Sequence, residues 1–109
     1  MKTFDVANII KEQAAGDKSY LEFLRESSMS MGLYVLAAGA VDGQSLHTED
    51  EVYYVVSGRG RFVSADKDVA VQAGSILFVP ANEEHRFHSI EEELRILVLF
   101  APAEYSQKV

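Results

Sequence analysis

The chain has 109 residues, a length that holds one compact domain and leaves no room for two independent cores. Hydrophobic residues make up 48% and charged ones 25%, which excludes the profile of a disordered chain. Ten basic against seventeen acidic side chains leave a net charge of −7, the wrong sign for a phosphate backbone or an anionic membrane, so neither nucleic acid nor membrane is expected as a partner.

The opening stretch MKTFDVANIIKEQ carries acids and no long apolar run, so neither a signal peptide nor a membrane span is expected, and the default location is cytoplasmic. Val6, Ile9 and Ile10 recur at helical spacing and Gly16 follows as a stop, which predicts a short helix over residues 6–15. Residues 20–25 fit either a helix turn led by Ser19 or an edge strand, and are read as strand. Beyond them the period is two. Residues 33–38, 51–57, 61–64, 69–72, 76–79, 85–89 and 94–100 read as strands, several rich in Val, Tyr, Phe and Ile. Turn signals fall between them at Asp42-Gly43, Ser57-Gly58-Arg59-Gly60, Asp66-Lys67-Asp68 and Ala73-Gly74. Pro80 closes one apolar run at a strand end, where a missing amide donor is tolerated. The fold class is all-β.

Cysteine is absent, so any metal must be held by nitrogen and oxygen. His47, Glu51 and His85 stand out because imidazole and carboxylate suit divalent Fe, Mn, Ni, Co or Zn. On an extended strand His47 and Glu51 would stand about 13 Å apart, too far to share one ion, so the chain must bend across Thr48-Glu49-Asp50. Alternation then puts Glu51, Tyr53 and Val55 on one face and Val52, Tyr54 and Val56 on the other, both largely apolar, so Glu51 faces an interior. A carboxylate there needs an ion or a hydrogen-bonded cation to offset its burial. His85 shares a face with Phe87 and Ser89, while His88 points the other way. The residues alone leave two readings open, a metal site or ordinary hydrogen-bonded histidines.

The stretch from Gly39 to Gly60 resembles the first cupin motif, in which a glycine and an H-x-H pair precede a glutamate that is separated by six residues from another glycine. His47 matches the second histidine, Glu51 the glutamate and Gly58 the closing glycine. Gly74, Pro80, Asn82, His85 and Ser89 are similarly spaced to the second motif. Asn82 replaces a glycine, which asparagine can do because it tolerates a left-handed backbone, and Ser89 replaces an asparagine. Ser45 stands where the family has its first histidine. The usual three-histidine, one-glutamate set is thereby reduced to His47, Glu51 and His85, and Ser45, Gln44, Glu49 or a water is left to fill the gap.

The resemblance implies a jelly-roll β-barrel over residues 33–100 behind a helix or arm over 1–18, with a divalent transition metal inside and commonly built as a homodimer. Two histidines and a carboxylate with open positions also form a recognised face for non-haem Fe(II). The implied function is a metal-dependent enzyme acting on a small molecule, of dioxygenase, isomerase or lyase type. The alternatives are a non-catalytic binding or sensing barrel, and a structural dimer that buries an apolar edge such as Leu33-Tyr34-Val35-Leu36. Tyr53 is the expected catalytic side chain, orienting substrate or passing a proton. Gln44, Phe62, Phe78 and Phe87 are expected to contact the substrate.

Overall fold

The computed structural model describes residues 1–44 and 46–106. Its helix α1 spans Val6–Ala15. Asp5 caps it by accepting the Ala7 amide at 2.9 Å, Gly16 ends it, and the buried Ile9 turns its apolar side to the sheet. Six strands follow: β1 Tyr20–Arg25, β2 Ser30–Leu36, β3 Asp50–Ser64, β4 Lys67–Gln72, β5 Ile76–Val79 and β6 His85–Ala101. All pairings are antiparallel, in the order β1-β2-β6-β3-β4 with β5 also on β3. This is the all-β jelly-roll architecture expected, and residues 20–25 are a strand.

Two expected breaks are bends within strands. The sequence around Gly58 reads as a turn, yet β3 runs straight through it and pairs with β6 on both sides, with register shifts between Val55 and Arg61. Gly58 adopts φ +98°, and a Cβ there would come within 2.1 Å of the Glu93 carbonyl oxygen. The glycine therefore marks a bulge where two backbones meet closely. An extra residue in a period-two strand swaps its faces. Accordingly Glu51, Tyr53 and Val55 point inward before the bulge, and Gly60 and Phe62 after it. On β6 the same swap falls between Phe87 and Ile90, at Ser89 with φ +49°. Both halves of each long strand thus face one core built around Tyr53, Phe62, Phe87, Leu94, Ile96 and Phe100.

The outer face corrects two further expectations. Leu33 to Leu36 do not form an edge, because β2 lies between β1 and β6 and Leu33 is fully buried. Phe78 does not line the interior. Val79 takes the inward position on β5, so alternation turns Phe78 and Ile76 outward, 62% and 69% exposed. They pair across to Val52 and Tyr54 and form an apolar patch on the outside. Among the described residues no helix is long and apolar enough to cross a membrane.

Candidate metal centre

The bend expected after His47 falls at Thr48 and Glu49, and β3 begins at Asp50. The Asn82 amide donates to the His47 carbonyl at 2.8 Å, and Asn82 makes this turn at φ +64°, a conformation open to asparagine. The Ala81 amide donates to Asp50 Oδ1 at 2.9 Å. These bonds set the loop holding His47 against the one leading to His85.

Glu51 Oε1 lies 3.1 Å from both His47 Nδ1 and His85 Nε2, and one donor atom from each residue falls within 4.8 Å of the others. All three side chains are buried. Although His47 Nδ1 is this close to Oε1, it makes no hydrogen bond there, and among the described residues this nitrogen and Glu51 Oε2 are buried without a hydrogen-bond partner. Two such atoms in one cluster are costly as they stand. Two imidazoles and a carboxylate are also the donor chemistry of a divalent transition ion, so the residues fit one.

The charges are strongly coupled. Burial favours the neutral acid of Glu51, but the close approach of His47, His85 and Tyr53 outweighs it and holds the pKa at about 2. Burial likewise opposes the imidazolium of His47, yet Glu104 and Glu51 push its pKa up to about 9. His85 is raised too, against its burial, by Glu51 and the Glu83 carbonyl. At neutral pH an incoming ion must therefore displace protons.

Around this cluster the side chains are tied to one another. Tyr53 Oη stands 3.0 Å from His85 Nε2 and donates to Gln44 Oε1 at 3.1 Å. Gln44 Nε2 donates to Asp42 Oδ2 at 2.7 Å, and Tyr34 Oη donates to Asp42 Oδ1 at 2.6 Å. Asp42 also accepts the Phe87 amide at 2.9 Å, so a residue that reads as part of a turn is a buried anchor. Burial, helped by the nearby Glu51 charge, raises the Tyr53 hydroxyl above its ordinary range and keeps it protonated. Phe62 and Phe87 pack on the Tyr53 ring at 5.5 and 5.1 Å between centroids.

Of the groups considered for the missing histidine's place, Ser45 lies outside the described residues. Glu49 is buried but otherwise engaged, accepting from the Thr48 hydroxyl and the Tyr105 amide. Sequence reasoning missed Glu104, whose Oε2 is 3.0 Å from His47 Nε2. A contact spanning 57 positions leaves no local pattern to find. His88, in contrast, is on the outside with Asp68. A cavity of about 560 Å³ opens beside the cluster, lined by Tyr20, Tyr34, Gln44, His47, Tyr53 and Glu104 among others. A second, of about 430 Å³, reaches His85 from the side of Asp42 and Arg86.

Several comparisons bear on this geometry. An uncharacterized protein of Streptomyces coelicolor is 49% identical over 104 residues, 95% of this chain and 99% of its own length. The acireductone dioxygenase of Bacillus velezensis is 38% identical over 58 residues, and the match covers 49% of this chain but 32% of that enzyme. The structure of TT1209 from Thermus thermophilus superposes with a TM-score of 0.74 at 20% identity, covering 94% of this chain and 99% of the other. A family model described as the cupin domain matches residues 32–100. The chain belongs to the cupin family.

Proposed function

We propose that this cupin holds a divalent transition metal through His47, Glu51 and His85 and acts as an enzyme on a small molecule in the adjoining cavity. The observation that carries the reading is the convergence of three buried donors with two orphaned polar atoms, His47 Nδ1 and Glu51 Oε2, among them. When bound, such an ion supplies Lewis acidity toward a carbonyl or enol oxygen and, if iron, a site for redox chemistry with O2. This covers dioxygenase, isomerase and lyase reactions. The partial likeness to acireductone dioxygenase supports the first of these.

The chain's own residues have distinct parts in this reading. Tyr53 stays protonated, so it is not a base, and its one proton reaches a substrate only in exchange for its bond to Gln44 Oε1. Gln44 keeps that hydroxyl aimed, being itself fixed by Asp42. Phe62 and Phe87 pack behind Tyr53, and Phe100 packs on the His47 ring at 4.8 Å, which covers one side of that imidazole. Elemental analysis of protein purified without added metal or imidazole tests the proposal. Near-stoichiometric transition metal that disappears in His85→Ala is expected, and equal trace metal in both proteins would refute it. O2 uptake by Fe(II)-loaded protein over a panel of small enols and diketones then separates oxygenase from isomerase or lyase.

The outward patch of Val52, Tyr54, Ile76 and Phe78 is the surface we assign to a homodimer, since apolar rows on two paired strands stand uncovered there. Sedimentation should show a dimer that Phe78→Glu dissociates. A monomeric wild type would remove the assignment.

A further inference from the structure

The candidate centre has a carboxylate neighbour that the cupin match does not include. Glu104 follows β6, beyond residue 100, and its buried side chain places Oε2 3.0 Å from His47 Nε2. The backbone there is held from three sides. The Glu104 amide donates to the buried Ser30 Oγ at 2.9 Å, Arg25 Nη2 donates to the Glu104 carbonyl at 2.8 Å, and the Tyr105 amide donates to Glu49 Oε1 at 3.1 Å. Strands β1 and β2 and the loop before β3 thus share in positioning one acid.

A carboxylate only accepts hydrogen bonds, so this contact requires the proton of His47 on Nε2. Once the second proton of the imidazolium has left, Nδ1 can offer its lone pair to an ion, and Nδ1 is the atom that faces Glu51, without a hydrogen bond among the described residues. His85 is arranged in the opposite sense. Its Nδ1 donates to the Glu83 carbonyl at 2.7 Å, which leaves Nε2 facing Glu51. Two outer acceptors therefore turn two imidazoles so that their lone pairs converge. Among the described residues the donors within 4.8 Å of one another are those of His47, Glu51 and His85, so Glu104 stands outside the set.

We propose that Glu104 is a positioning residue: it fixes His47 as the Nε2–H tautomer and makes Nδ1 the ligating atom. The proposal rests on the metal-binding reading above. Zn(II) affinity measured by chelator competition should fall about 10- to 100-fold in Glu104→Leu, and Glu104→Gln, which keeps an acceptor oxygen, should recover most of the loss. Long-range 1H–15N spectra of Zn(II)-loaded wild type should show His47 protonated at Nε2 and metal-shifted at Nδ1. That spectrum decides the matter even where Glu104→Leu fails to fold. Wild-type affinity in a folded Glu104→Leu, or a metal-shifted Nε2, would overturn this proposal alone. A wild type that binds no Zn(II) would overturn the metal-binding reading with it.

A separate observation concerns Tyr20. Its hydroxyl is buried and has no hydrogen-bond partner among the described residues, although it lines the cavity with His47 and Tyr53. The ring lies over Gly32, where a Cβ would come within 2.2 Å of it, and meets Tyr34 and Phe100 edge-on at 6.2 and 6.4 Å. The strand has given up a side chain to seat this ring. From this we infer that Tyr20 donates to an acceptor oxygen of a small ligand in this cavity, for which a carbonyl or carboxylate oxygen serves; the inference rests on the metal-binding reading for its choice of probe. Pyruvate titrated into Zn(II)-loaded protein is expected to bind, and Tyr20→Phe to weaken it about tenfold, one lost hydrogen bond, with Zn(II) affinity unchanged. No binding of pyruvate, or equal affinity in the variant, would overturn the inference.

Discussion

His85 and His88 sit three residues apart on one strand, each about 3 Å from a carboxylate, and their surroundings differ in every other respect. His88 pairs with Asp68 at 2.9 Å on the outside, where Arg61 joins the same acid; desolvation opposes ionisation of Asp68, but the hydrogen bonds from His88 and Arg61 together lower its pKa. Water can serve every group there. His85 pairs with Glu51 at 3.1 Å inside the barrel, where Glu51 is 1% exposed and one of its oxygens has no hydrogen bond among the described residues. The comparison teaches that an imidazole–carboxylate distance does not make a site. Burial, convergence with a second imidazole and atoms left unsatisfied do.

The largest effect should come from breaking the buried cluster at its centre. Glu51→Gln keeps the volume and removes the charge, and should lower Zn(II) affinity by more than the roughly 100-fold upper range for losing an outer partner. Chelator competition measures it.

Next in size is the pH dependence of the buried cluster. His47 has its pKa raised to about 9, so its contribution to the stability of metal-free protein is fully present below pH 6.5 and is lost as pH rises toward 9. Metal affinity should run the other way, because the ion competes with that proton. Melting curves of metal-free protein and Zn(II) titrations from pH 6 to 9 should therefore have opposite slopes. Glu51, held at about 2, supplies stability that is present above pH 4.5 and fades only as pH falls toward 2, outside this range. Parallel slopes would contradict the assigned coupling.

Gly58→Ala disturbs the frame that keeps one cluster inside and the other out. A left-handed backbone and the close Glu93 carbonyl should together cost about 1–3 kcal/mol or more, read by chemical denaturation. The smallest effect should belong to His88→Ala, with metal content unchanged and the melting temperature scarcely moved.

Much of this was legible in local pattern. The helix, the inward turn of Glu51 and Tyr53, the bend after His47 and the choice of His85 over His88 all follow from periods of a few residues. Gly58 misled because glycine signals a turn and a bulge alike, and what separates them is the Glu93 carbonyl 35 positions away. Phe78 misled because aromatic character was read as interior; counting back in steps of two from the buried Val79 would have turned it outward. Asp42, Glu104 and Tyr20 act through partners distant in the chain, and a single sequence holds no trace of that.

Anomalous diffraction from crystals grown with one equivalent of Co(II) addresses the central claim most directly. The expected map has one strong peak in bonding contact with His47, Glu51 and His85. A peak at His88 and Asp68 instead, or none above background, would contradict it.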